Sequence, residues 1–323
     1  MNGLYDGFNR KVDYLRISIT DRCNLRCFYC MPEGGVVPKP HKEILSYEEI
    51  EFFVRAAAEA GISKVRITGG EPLVRRDAAK LIEMISKVPG PTDISLTTNG
   101  ILLPEYGDDL KKAGLRRVNI SIDSLDPEVY RRITRHGDVK RALSGLRKAI
   151  ELGFEPVKIN TVLMRSVNDD PRAFIRLIYD YPIHIRFIEL MPISRWDPNL
   201  FISVDEFKTK LETFGPLELV AGPQGAGPAS YVIFKGALGT IGFISPMSNH
   251  FCSSCNRLRL TPDGKLRACL FSDVEFDIKP KLRDNIHGEE IITLVRNVLK
   301  NKPEKHDARK GEILERLMCQ IGG

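Results

Sequence analysis

The sequence has no run of eighteen apolar residues, and its opening, Met1-Asn2-Gly3-Leu4-Tyr5-Asp6, has neither a basic stretch nor an apolar segment of the secretory kind. Both absences argue against membrane insertion and export and for a cytoplasmic protein. Tryptophan occurs once, which leaves little aromatic surface for stacking nucleic-acid bases. A large charge excess is also missing: 48 Lys and Arg against 42 Asp and Glu leave a formal net charge of +6, spread along the chain instead of gathered in a tail. That balance suits an anionic small molecule and does not require nucleic acid. Only the loop Gly222-Pro223-Gln224-Gly225-Ala226-Gly227-Pro228 approaches low complexity.

What is present is an ordinary globular composition, 42% hydrophobic and 28% charged over 323 residues, enough for one large domain or two modest ones. Short β-branched runs at 15–20, 64–68, 94–98, 118–123, 157–162 and 185–190 alternate with helical patterns. Ser46-Tyr47-Glu48-Glu49 reads as a capping box, and Ile50, Phe53, Val54 and Ala57 after it mark one apolar helix face. Similar patterns at 77–88, 140–152 and 171–179 give a βα unit repeated about six times, which implies parallel strands with helices outside.

The strands alternate apolar and polar residues where a closed eight-stranded barrel would fill its interior with Val, Ile and Leu. Arg16, Ser18 and Thr20 share one face, as do Arg66 and Thr68, Ser95 and Thr97, Asn119, Ser121 and Asp123, and Lys158 and Asn160. An antiparallel sheet with one wet face would also alternate, but the βα rhythm speaks against it. The reading is an α/β fold, an incomplete (βα)6 TIM-like barrel around a polar, partly cationic cavity. After Met191 the pattern changes, and a boundary near Gly215 divides a barrel domain, 1–214, from a smaller C-terminal α+β domain, 215–323.

Seven cysteines in a reducing compartment point to metal or redox chemistry. Cys23, Cys27 and Cys30 form C-x3-C-x2-C after the first strand; Cys252, Cys255 and Cys269 form C-x2-C-x13-C; Cys319 stands alone and is assigned no role. Three thiolates can hold three irons of a 4Fe-4S cluster and leave the fourth open to a reactant. A zinc site short of one ligand, or in the second triplet a zinc completed by His250, is the alternative. His41, His136, His184, His287 and His306 show no ligand spacing and read as structural or exposed.

Cys23-Asn24-Leu25-Arg26-Cys27-Phe28-Tyr29-Cys30 resembles the radical SAM signature, and Gly69-Gly70-Glu71-Pro72 resembles the segment that binds the methionine amino group of S-adenosylmethionine. The stretch from Cys252 through Asn256-Arg257-Leu258-Arg259-Leu260 to Cys269, with Gly322-Gly323 at the end, is similar to the GTP 3',8-cyclases, radical SAM enzymes of molybdenum cofactor biosynthesis. This resemblance covers nearly the whole chain and implies two 4Fe-4S clusters, the second in the C-terminal domain and holding the guanine base on its open iron. It implies that a radical made from S-adenosylmethionine takes hydrogen from C3' of GTP, after which that carbon attacks C8. Tyr29, Gly70, Ser121 and Met191 would contact S-adenosylmethionine. Arg16, Arg66, Thr97, Lys158, Arg186, Arg257 and Arg259 would contact GTP, the arginines through the guanidinium fork that suits phosphate. Arg257 and Arg259 would also serve catalysis, together with Gly322 and Gly323, a tail that enters the active site. An external electron donor, transfer of product to cyclic pyranopterin monophosphate synthase, and a homodimer complete the expectation.

Overall fold

The structure is a computed structural model that describes residues 3–193, 196–225, 227–284, 287–308, 314 and 316–322. Six strands, β1 (Tyr14–Ser18), β2 (Lys64–Thr68), β3 (Asp93–Thr98), β4 (Arg117–Ser121), β5 (Val157–Leu163) and β6 (His184–Glu189), lie side by side in chain order. Every adjacent pair among them is parallel. The connections run through α1 (Tyr47–Glu59), α2 (Ala78–Ser86), α3 (Leu103–Lys112), α4 (Pro127–Thr134), α5 (Val139–Glu151) and α6 (Arg172–Asp180).

The Ser46 capping box closes α1 as its sequence requires: the Ser46 side chain accepts from the Glu49 backbone N–H, and Glu49 accepts from the Ser46 N–H. The apolar alternates of the strands, Leu15, Ile17, Val65, Ile67, Leu96, Val118, Ile120 and Ile159, are buried in one continuous core that includes the helices' apolar faces. Their polar neighbours are thereby turned to the barrel interior.

Beyond β6 come α7 (Val204–Glu212), β7 (Leu217–Val220), β8 (Ser230–Phe234), β9 (Thr240–Ile244), β10 (Arg257–Leu260), β11 (Lys265–Arg267), β12 (Phe276–Asp277), α8 (Lys279–Arg283), α9 (Gly288–Lys300) and α10 (Met318–Ile321). These strands join the barrel's own sheet at both edges. β9 pairs in parallel with β6 and carries β8 and β7; β10 pairs in parallel with β1 and carries β11 and β12. One twelve-stranded sheet results, and it runs unbroken past Gly215, which lies in the turn between α7 and β7. Among the described residues no helix is long and apolar enough to cross a membrane.

Candidate active site

The interior holds two cavities that meet at Asn160, Ile188 and Met191. Each contains one cysteine triplet.

The first triplet sits on the loop after β1, where all three thiols face the cavity lined by Gly70, Thr97, Ser121, Asp123 and Met191. Burial pushes Cys23 up to about 12, helped by nearby Glu71. Cys27 is raised by burial and by Asp123, and Cys30 by a hydrogen bond with Cys319 and by burial. Thiols held protonated in this way release protons when a metal arrives, so loading is favoured by alkaline conditions. Tyr29 donates its hydroxyl to Asp123 Oδ2 at 2.8 Å. At Gly70 a side chain is excluded, since a Cβ would lie 2.4 Å from the Arg22 carbonyl oxygen. The next residue, Glu71, is buried and accepts from Thr98 Oγ1 at 2.7 Å and the backbone N–H groups of Leu73 and Asn99 at 3.1 and 2.6 Å; burial raises its carboxyl to about 7. This carboxylate staples the Gly-Gly turn to β3.

In the second cavity, Cys252, Cys255 and Cys269 face Arg16, Arg66, Arg186, Arg257 and Arg259, with no Asp or Glu among the described lining residues. Register explains the convergence: Arg16 lies between Arg66 of β2 and Arg259 of β10. Burial, with Arg257 nearby, lowers Arg259 to about 10; burial lowers Arg66 to about 10 as well, and both remain charged at neutral pH. Arg66 is 3% exposed, and its Nε and Nη2 have no hydrogen-bond partner. Such donors call for an acceptor, since buried unpaired polar groups are costly. Arg186 donates to Asn160 and Asn119 side-chain oxygens at 2.9 and 2.8 Å, which fixes its fork toward the cavity. Burial works to raise Cys255, but Lys302 and Arg257 outweigh it and lower that thiol. Lys302 is itself buried and donates to the carbonyls of Arg257 and Ala268 at 2.8 and 2.6 Å.

The structure thus gathers most of the residues singled out by sequence, with three differences of detail. Thr97 lines the first cavity and not the arginine-rich one. Lys158 is buried on the polar face but lines neither cavity; its Nζ donates to the Gln224 carbonyl of the 222–228 loop at 3.2 Å. Gly323 lies outside the described residues. Gly322 is inside the barrel: its carbonyl accepts from Arg259 Nη1 at 2.7 Å, and its backbone is in the left-handed region, φ +76°.

Two residues were missed. His306, expected to be structural or exposed, lines the second cavity, stacks on Phe271 with ring centroids 4.0 Å apart, and hydrogen-bonds His250 at 3.0 Å. Cys319 is buried beside the first triplet. Neither had a spacing signal to reveal it.

Fold and site together define a radical SAM protein with a second cysteine-lined compartment, and comparison with known proteins agrees. The Radical SAM superfamily model matches residues 17–178, and the Molybdenum Cofactor Synthesis C model matches residues 183–308. GTP 3',8-cyclase of Desulforamulus reducens is 49% identical over 99% of this chain and 100% of its own length. The enzyme of that name from Alkaliphilus oremlandii is 50% identical over 98% of this chain and 99% of its own. The chain belongs to the GTP 3',8-cyclase family. In fold it is similar to Streptococcus suis SuiB bound to S-adenosylmethionine, with a TM-score of 0.63 at 15% identity, covering 97% of this chain and 79% of that one.

Proposed function

We propose that this protein is a radical SAM enzyme that converts GTP to 3',8-cyclo-7,8-dihydro-GTP, the first step of molybdenum cofactor biosynthesis. One observation carries the reading of the substrate: five arginines line the cavity that holds the second cysteine triplet, with no Asp or Glu among its described lining residues. The donor sets fit two 4Fe-4S clusters, because each consists of three thiols on one cavity wall, leaving one iron for a small molecule. Cys23, Cys27 and Cys30 would hold the first cluster and Cys252, Cys255 and Cys269 the second. Bound there, the first cluster and S-adenosylmethionine supply the one-electron chemistry at the ribose that side chains cannot perform.

The chain's own residues bind, orient and enclose. Gly70, with Tyr29, Ser121 and Met191, receives S-adenosylmethionine, and the lack of a Cβ lets the backbone approach it. Arg16, Arg66, Arg186 and Arg257 take the triphosphate through charge-assisted hydrogen bonds, which are stronger in a water-poor cavity. Arg259 holds the Gly322 carbonyl, so the tail becomes part of the wall and helps exclude water from the reacting centre. Thr97 acts from the wall of the first cavity, and Lys158 lies beneath, where burial and the neighbouring arginines lower its amine to about 6 and leave it mostly neutral.

An external donor supplies the electrons, and the product passes to cyclic pyranopterin monophosphate synthase; we place the protein in the cytoplasm, as a homodimer. Anaerobic incubation of the iron-loaded protein with GTP, S-adenosylmethionine and a reductant tests the reading. The expected outcome is the cyclised nucleotide. Its absence, or zinc at the second triplet in protein made anaerobically, overturns it.

A further inference from the structure

The first triplet is not alone in its cavity, because four thiols face it and not three. α10 lays Cys319 among Cys23, Cys27 and Cys30. Cys319 lines this cavity together with Cys30 and is 1% exposed. The tail that presents it is held on either side. Before α10, Arg316 forks onto Asp263 at 3.0 and 2.9 Å; after it, the Gly322 carbonyl is held by Arg259. Cys319 is therefore delivered to this place by polar anchors, not left there by a frayed end.

Four cysteines are the full ligand set of a 4Fe-4S cluster, and thiolate is the soft ligand that iron-sulfur sites favour. We propose that Cys319 is the fourth ligand of the first cluster in the absence of S-adenosylmethionine, closing the open iron until the substrate displaces it. The inference rests on the cluster reading above and goes beyond it. As the iron–sulfur bond forms, the Cys319 thiol gives its proton to solvent. When S-adenosylmethionine takes the position, that bond breaks and the thiolate regains a proton. No electron moves in either direction. Met318 and Cys319 line the same cavity as Gly70, Ser121 and Met191, so binding of S-adenosylmethionine also shifts the tail.

Competition of this kind divides the dissociation constant by the fraction of open molecules. A resting state closed in about nine molecules of ten weakens S-adenosylmethionine binding about tenfold. The test uses the anaerobic iron-loaded protein without GTP, titrated with S-adenosylmethionine and followed by the electron paramagnetic resonance of the reduced first cluster. Cys319→Ala and Cys319→Ser should both bind about tenfold more tightly than the parent, and their clusters should bleach faster in air before S-adenosylmethionine is added. Serine keeps the bulk but gives up the thiolate. Parental affinity in Cys319→Ser alone would mean that the side chain only fills space, and parental affinity in both variants would mean that the iron was already open; either result overturns the proposal. Failure of the Cys23 triplet to take up iron at all would overturn the functional reading with it, which the iron content shows separately.

Discussion

Arg66 is the residue at which structure and chemistry press hardest on each other. Its charged head is buried, with two donor groups unpaired, which is costly unless an anion arrives. Arg66→Met or Arg257→Ala should weaken GTP binding by about 1.5–3 kcal/mol, roughly tenfold or more, as expected for the loss of a charge-assisted hydrogen bond. Guanosine, without phosphates, should lose less, and S-adenosylmethionine should bind as before. Calorimetric titration of the three ligands decides the matter, and equal losses for GTP and guanosine would remove the triphosphate role. The same residues show what alternation can and cannot reveal. A period of two assigns Arg16, Arg66 and Thr97 to the interior, but it says nothing of depth along the strand. Thr97, two residues further along β3 than Ser95, therefore opens on the neighbouring cavity. Lys158 has the right face as well, yet a loop more than sixty residues away reaches its ammonium group first.

Among the elements, the C-terminal tail is tied through Arg316 to two carboxylates, Asp263 and Glu275, and the pH dependence of the Asp263 pair has a definite sign. Burial alone would raise the Asp263 carboxyl, but the Arg316 fork and the Thr261 hydroxyl hold it well below the ordinary range. A depressed folded-state pKa gives a tether that is complete above the unfolded value, about 3.9, and lost as pH falls through the lower folded one. Tail release, measured by carboxypeptidase digestion, should thus need acid below about pH 4 in the parent, whereas Asp263→Asn, which leaves Arg316 only Glu275, should loosen the tail at neutral pH and slow product formation. Protection of the variant's tail at pH 7 would show that the pair is incidental. Gly322→Val should act at the other end of the same segment. A Cβ there would lie 2.6 Å from Thr68 Cγ2 and 3.0 Å from Ser18 Cβ, and φ +76° disfavours a branched side chain. Product formation should collapse while the melting temperature and iron content stay near parental, and full activity would mean that the glycine is dispensable. Two helices of the barrel segment, besides α8, α9 and α10, escaped the sequence reading for different reasons. In α3, Pro104 and Gly107 blur the pattern, with Gly107 packed against Leu152. In α4, the Asp126 cap and Pro127 at the first helical position were a legible start that a short apolar face did not reinforce.

At the scale of the molecule, strands after residue 214 cover both edges of the barrel sheet. Chain 1–214 expressed alone should expose the edges of β1 and β6 and self-associate, because unpaired edges pair with other chains. Size-exclusion chromatography would show this, and a stable monomer would mean that the first segment folds without the second. That pairing was not legible in Arg257-Leu258-Arg259-Leu260, because a strand partner so distant in sequence leaves no local trace.

The pairing of β10 with β1 also sets a timetable. Tyr14 waits for a partner that follows about 240 residues later, an interval of roughly 12–50 seconds at ordinary rates of synthesis. Through that interval the Cys23 to Cys30 loop has emerged, while the strand beside it is open and the tail that will cover the cavity has yet to be made. Delivery of iron to the first triplet therefore meets its least obstructed moment on the ribosome, before the last residues arrive to close the door.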